Sequence, residues 1–334
     1  MHEWIDALQE RDSAAALKEL NESLTGSPPR VPSRYLYDTL GSSLYSAITV
    51  LPEYYPSRLE HQILRARRED IIGSLDNVDT LIDLGPGDGT KAMQLLEAPQ
   101  LTSKLLRYIG VDISRDGLWQ AVRQISQHFE HLVVTGLVAD FSSGLAWPGW
   151  IDLGNPLLFF AGSSIGNFSP DEAAHFLHGL CRICRDARHG RSDLLIGVDL
   201  VKPKALMEAA YDDALGVTAC FNRNVLLHLN RVLNADFDLG RFRHRAHFDA
   251  QHSRIEMSLE CMATQWVSWP NGGRRFTEGE HLLTEYSYKY TPEQFQQLLK
   301  RAGFTLRRRW FDDSRGYMLC LASSYQACRG DELS

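Results

Sequence analysis

Between Thr80 and Asp199 short apolar runs alternate with longer stretches whose apolar residues recur every three or four positions. The runs at 80–84, 108–112, 132–138, 156–161 and 193–199 are rich in Leu, Ile, Val and Phe, as strands buried on both faces are. Helical spacing between most of them predicts a parallel, doubly wound sheet of the α/β class. Two helix starts are well marked. Ser169-Pro-Asp-Glu172 and Thr291-Pro-Glu293 each put a hydroxyl before a proline and acids in the first turn, and Gly303 can close the second helix. Strand-like segments at 304–311 and 316–323 then predict an antiparallel end to the sheet.

The rest of the chain breaks this rhythm. Residues 3–24 carry Leu, Ile and Ala at helical spacing and predict a helix. Ser27-Pro-Pro-Arg-Val-Pro-Ser33 ends it, Leu51-Pro-Glu-Tyr-Tyr-Pro56 predicts an irregular extended path, and a helix is expected from 58 to 72. Residues 201–286 read as helical to about Leu233 and then as strands at 244–249, 254–264 and 282–288. We therefore expect a sheet domain from 61–200 and 287–330. A second α+β lobe, from 1–60 and 201–286, is expected over the carboxyl ends of the strands, where open α/β sheets bind ligands.

The most informative local sequence is Leu81-Ile-Asp-Leu-Gly-Pro-Gly-Asp-Gly-Thr90, followed by Tyr108-Ile-Gly-Val-Asp112. A strand runs into a glycine-rich loop, a helix opens near Lys91, and a second strand ends in an acid. Glycines let backbone approach a ligand, and an acid at that place can accept from both hydroxyls of a ribose. A dinucleotide fingerprint would continue G-x-G-x-x-G/A, but Thr90 stands at the third site and Gly89 comes one residue early. A nicotinamide dehydrogenase is therefore disfavoured, and S-adenosylmethionine (SAM), which has no pyrophosphate to seat, fits better.

Charge and composition narrow the class. The net charge is −7 and no Lys/Arg run stands out, so nucleic acid is not an expected partner. No apolar run is long enough to span a bilayer and no signal peptide is evident, so a cytoplasmic protein is expected, without a membrane partner and as a monomer. The six cysteines are scattered. Cys181 and Cys184 form C-x-x-C inside a predicted helix without a second pair, which reads as helix core. The twelve histidines include no H-E-x-x-H, so no metal is assigned.

Several separated blocks in order then carry a resemblance over residues 30–322. They are Tyr37-Asp38, Leu51-Pro-Glu-Tyr-Tyr-Pro-Ser-Arg58, Gly162-Ser-Ser-Ile-Gly-Asn167, Tyr211-Asp-Asp213 with the helix after it, Arg254-Ile-Glu-Met257 and Leu283-Thr-Glu-Tyr-Ser287. The chain resembles the histidine-specific Nα-methyltransferases of ergothioneine biosynthesis. The resemblance implies a Rossmann-like class I methyltransferase sheet with a second, substrate-binding lobe. It also implies SAM as methyl donor and L-histidine as substrate, carried to its trimethylammonium betaine, hercynine.

The resemblance also assigns residues. Asn167 and Tyr211 match the groups that hold the amino-acid head, and Tyr37, Tyr54, Glu285 and Ser287 match those that read the imidazole, with Met257 lining the same pocket. Gly85, Gly87 and Lys91 match the loop around the methionine part of SAM, Asp112 the ribose acid, and Asp140 and Phe141 the adenine pair. Glu285 and Ser287 are two apart, so on a strand they share a face. No nucleophile or base is expected, since methyl transfer to an amine needs chiefly positioning, here by Tyr54 and Asn167. Leu36, where relatives often carry an aromatic residue, departs from the pattern without touching an imidazole reader. An Nα-methyltransferase for another amino acid such as tryptophan, and a non-catalytic SAM-binding protein, are the alternatives.

Overall fold

A computed structural model of the protein describes residues 2–7, 10–141, 153–183, 191–270 and 272–325. Thirteen strands are found among them: β1 (His2–Asp6), β2 (Thr80–Leu84), β3 (Arg107–Asp112), β4 (Val133–Val138), β5 (Pro156–Phe160), β6 (Arg191–Asp199), β7 (Phe242–Asp249), β8 (Arg254–Cys261), β9 (Gln265–Trp269), β10 (Gly272–Phe276), β11 (His281–Tyr288), β12 (Thr305–Phe311) and β13 (Tyr317–Tyr325). The chain divides into two compact units. The first comprises 1–7, 59–201 and 290–334, and the second 8–58 and 202–289.

The first unit is built on an eight-stranded sheet of order β1-β4-β3-β2-β5-β6-β13-β12. β1 through β6 pair in parallel, and β13 runs antiparallel between β6 and β12. From β2 the chain winds first through β3 and β4 and then, on the other side, through β5 and β6. The switch point therefore falls between β2 and β5, where such sheets open a ligand crevice. Every residue of β2 and β5 is buried, as the unbroken apolar runs require. The predicted helix starts form capping boxes. Ser169 and Glu172 exchange hydrogen bonds of 2.8 and 3.3 Å, and Thr291 and Gln294 do so at 2.8 and 3.2 Å. Gly303 closes the second helix at φ +92°. Cys181 is buried on the helix Pro170–Ile183, while Cys184 lies outside the described residues.

The first residues correct an expectation. The single helix over 3–24 is in fact a strand, β1, in parallel register with β4, and a helix over Glu10–Thr25. Residues 1–7 accordingly belong to the sheet unit and not to the second lobe. Trp4 of β1 sits edge-on to Trp119, 5.8 Å away, and a side chain at Gly136 of β4 would meet its ring at 2.9 Å. Tertiary contact thus holds an edge strand whose apolar spacing runs on into that of the helix.

The second unit contains the three-stranded antiparallel sheet β11-β8-β7 and the hairpin β9–β10. The helix Thr39–Thr49, capped by the Asp38 carboxylate on the Gly41 amide at 2.8 Å, packs on the helix Val217–Leu233. Asp38 also accepts from Asn224 at 2.7 Å, which ties the two helices together. The expected strand over 254–264 ends at Cys261, and the β9–β10 hairpin was not expected from the apolar pattern.

Candidate active site

Three glycines after β2 take backbone that other residues avoid: Gly85 at φ +70°, Gly87 at +58° and Gly89 at +81°. Gly89 lets the loop close on the helix behind it, where a Cβ would meet Ala121 at 3.2 Å, whereas a Cβ on Gly87 would meet nothing within 4 Å. Gly85 donates to the Val111 carbonyl at 2.8 Å, and a Cβ there would lie 3.7 Å from Phe141. Phe141 packs against Phe160 and Phe176 with ring centres 5.8 and 5.9 Å away. The loop, the end of β3 and the segment after β4 therefore meet at the switch point, bringing Gly85, Gly87, Asp112, Asp140 and Phe141 to one end of the sheet.

Asp112 ends β3 half-buried, with one carboxylate oxygen accepting from the Ser114 amide at 2.8 Å. Burial pushes its carboxyl up to about 6, against the opposing pull of the Ser114 and Ile113 amides. A charge kept in such a place is stabilised by further donors, which the two hydroxyls of a ribose supply. At the helix start the Asp88 carboxylate accepts from the Thr90 amide at 3.0 Å. One amide of that helix N-terminus is thus already answered by a side chain that brings negative charge there, which suits SAM, a cation without a pyrophosphate, better than a nicotinamide dinucleotide.

Lys91 is not a solvated first-turn lysine. Its ammonium lies 2.6 Å from Glu60, a carboxylate with no exposed surface. Glu60 also accepts from the Gly162 amide at 2.8 Å and from the Tyr317 hydroxyl at 2.9 Å, and Gly197 leaves it room, since a Cβ there would lie 1.9 Å away. This buried anion joins the cofactor loop to the turn after β5, a turn that ends in the half-buried Asn167. Sequence reasoning missed Glu60 because an isolated glutamate in a helix carries no signal. It also gave no role to Asp83 of β2, which accepts from Tyr108 at 2.9 Å and is pushed by burial up to about 7.

In the second unit Tyr37, Tyr54, Tyr211, Met257, Glu285 and Ser287 come together. Met257 and Glu285 stand directly opposite each other on β8 and β11, and Ile255 stands opposite Ser287. A register shift between Leu283 and Glu285 inserts Thr284 and turns the following residues inward. Glu285 is 7% exposed, and burial pushes its carboxyl up to about 7, with the Tyr37 hydroxyl bond and the Lys289 charge pulling the other way. Tyr37 donates to Glu285 at 3.3 Å. Burial first, and then the Glu285 carboxylate, hold the Tyr37 phenol well above its ordinary range, so it remains a donor.

Aromatic rings wall this pocket. Tyr54 is edge-on to Tyr211 at 6.1 Å and to Tyr45 at 6.2 Å, and its hydroxyl lies 3.3 Å from that of Tyr45. Tyr37 meets Tyr45 and Phe221 at 5.6 and 5.5 Å. Sequence reasoning missed Tyr45 and Phe221, although Tyr45 lies in the aromatic-rich segment that follows Tyr37. His244 fixes Tyr211 from behind. Its Nε2 donates to the Tyr211 carbonyl at 2.8 Å and its Nδ1 accepts from Asn222 at 2.9 Å, a neutral tautomer that burial favours by lowering its pKa. Among the described residues no cluster of His, Cys, Asp and Glu could hold a metal ion, and no helix is long and apolar enough to cross a membrane.

A doubly wound sheet with an antiparallel end, a glycine-rich loop and a buried acid at the switch point define a SAM-dependent methyltransferase of class I. The chain belongs to the family of SAM-dependent, histidine-specific methyltransferases, whose family model matches residues 16–324. It is 39% identical to the histidine N-alpha-methyltransferase of Mycolicibacterium smegmatis over 93% of this chain and 96% of that one. It is 38% identical to the protein of the same name from Mycobacterium tuberculosis, over 92% and 95%. The ergothioneine biosynthesis protein 1 of Neurospora crassa is 29% identical over 85% of this chain, which spans 32% of that longer protein.

Proposed function

We propose that the protein methylates the α-amino group of L-histidine three times with SAM, giving hercynine, the first step of ergothioneine biosynthesis. The observation that carries this reading is the buried pair Glu285 and Ser287 on one face of β11, walled by tyrosines. An imidazole offers an N–H donor and a lone pair at opposite edges of one small ring. A carboxylate and a hydroxyl answer both. An indole offers only the N–H, which would leave the hydroxyl unanswered in a buried place, and such sites discriminate strongly.

In this reading Glu285 accepts the ring N–H, Ser287 faces the other ring nitrogen, and Tyr37 keeps Glu285 oriented. Tyr54 and Met257 wall the ring. Tyr211 reads the amino-acid head, the role that the family resemblance also gives to Asn167. Gly85, Gly87, Lys91, Asp112, Asp140 and Phe141 would hold SAM, which supplies a methyl group on a sulfonium. The chain's own work is positioning and keeping the amine unprotonated when it attacks. Starting from the ammonium form of histidine, three transfers release three protons and three molecules of S-adenosylhomocysteine. The product nitrogen then has no lone pair, so the reaction stops. We take the protein to act on this small molecule as a monomer in the cytoplasm.

Mass spectrometry of a reaction with excess SAM and L-histidine tests this. The expected end product carries three added methyl groups. Accumulation of the mono-methylated product alone contradicts the reading.

A further inference from the structure

Lys289 follows β11 and is 2% exposed, yet its ammonium is held inside the proposed substrate pocket. Its Nζ lies 2.8 Å from the Tyr211 hydroxyl and 2.8 Å from Ser287 Oγ, and those two oxygens lie 2.7 Å apart. The backbone is pinned on both sides by Ser253: the Lys289 amide donates to its carbonyl at 2.7 Å, and its hydroxyl donates to the Lys289 carbonyl at 2.8 Å. Nothing in the residues around Lys289 singles it out.

The triangle can be counted in protons. An ammonium only donates, so both hydroxyl oxygens accept from Lys289. Each hydroxyl proton must therefore point away from the lysine. The contact between Tyr211 and Ser287 can use one of the two, so at least one proton is directed out of the triangle. When that contact opens, both hydroxyls become donors, strengthened by the charge behind them.

We propose that Lys289 is a specificity-determining residue: by holding Tyr211 and Ser287 as donors it selects a substrate with an α-carboxylate at one end and a ring-nitrogen lone pair at the other. The proposal rests on reading the pocket as an amino-acid site, and it deepens that reading by fixing the form of the substrate. A carboxylate beside Tyr211 is drawn by the cation in a place that water screens poorly. An imidazolium would offer Ser287 no lone pair and would meet a like charge. Glu285 takes the remaining N–H, so the bound ring is the neutral imidazole.

Calorimetry on protein saturated with S-adenosylhomocysteine tests this with L-histidine and with histamine, which keeps the ring and the amine but lacks the carboxylate. The parent protein should bind histidine at least about tenfold more tightly than histamine. Lys289→Met should weaken histidine by about 10- to 100-fold and histamine by less than about threefold, so that the preference collapses. Lys289→Gln, which keeps a donor without the charge, should fall between. Unchanged binding of S-adenosylhomocysteine verifies the fold of each variant, and the glutamine variant decides the matter if the methionine one fails to fold. Equal weakening of both ligands, or unaltered histidine binding, overturns the role of Lys289. A parent protein that does not bind histidine overturns the underlying substrate assignment instead.

Discussion

Glu285 and Asp112 are both carboxylates raised by burial, to about 7 and about 6, and in the roles proposed for them both gain ionising donors when a ligand arrives. The sign of the pH dependence follows. Donors favour the ionised form, so binding lowers each pKa, and affinity falls as pH drops through the value of the free protein. Histidine affinity should therefore decline as pH falls through about 7, and the part due to Glu285 should vanish in Glu285→Gln. SAM affinity should hold to lower pH and decline through about 6, a decline that Asp112→Asn removes. Calorimetry from pH 5 to pH 8 measures both. Glu285→Ala should weaken histidine by about 2–4 kcal/mol and leave SAM binding intact, while Asp112→Ala should weaken SAM by about the same amount. Loss of SAM binding in the Glu285 variant would show that this residue serves the fold and not the substrate.

At the scale of elements, the cofactor loop makes a separate prediction. Gly87 and Gly89 both have positive φ, but only Gly89 is packed closely against a neighbour. Gly89→Ala adds a contact with Ala121 at 3.2 Å to the backbone strain, whereas Gly87→Ala adds the strain alone, about 1 kcal/mol. Thermal unfolding should therefore show the larger stability loss for Gly89→Ala. Equal losses would mean that the packing of the loop on the helix behind it contributes nothing.

The same elements show what the chain revealed in advance and what it withheld. The parallel strands were legible because burial on both faces demands unbroken apolar runs, and the helix starts because caps are local chemistry. β1 was not, since its hold on β4 depends on Trp119 and Gly136, more than a hundred residues away. The hairpin β9–β10 was not legible either, because its strands are short and only partly buried. In the pocket, Glu285 and Ser287 stood out through their spacing and the resemblance. Glu60, Tyr45 and Lys289 did not, because each is defined by partners distant in sequence. The bulge at Thr284 was equally invisible, as a register shift depends on the partner strand.

For the whole molecule, the sheet unit carries the glycine loop and Asp112, proposed to hold SAM, and the second unit a buried polar cluster walled by tyrosines, proposed to hold histidine. That division predicts separable losses: substitutions among Gly85, Asp112 and Phe141 should act on SAM, and those among Tyr37, Tyr54 and Glu285 on histidine. The central claim is that histidine, and histidine alone among the common amino acids, is the methyl acceptor. One competition measures it directly. The protein is given methyl-labelled SAM and an equimolar mixture of the twenty L-amino acids, and the labelled products are separated by mass. The account predicts label in histidine derivatives only, ending in the species with three added methyl groups. Label distributed to tryptophan or to any other amino acid at a comparable rate, or no label transferred at all, would contradict it.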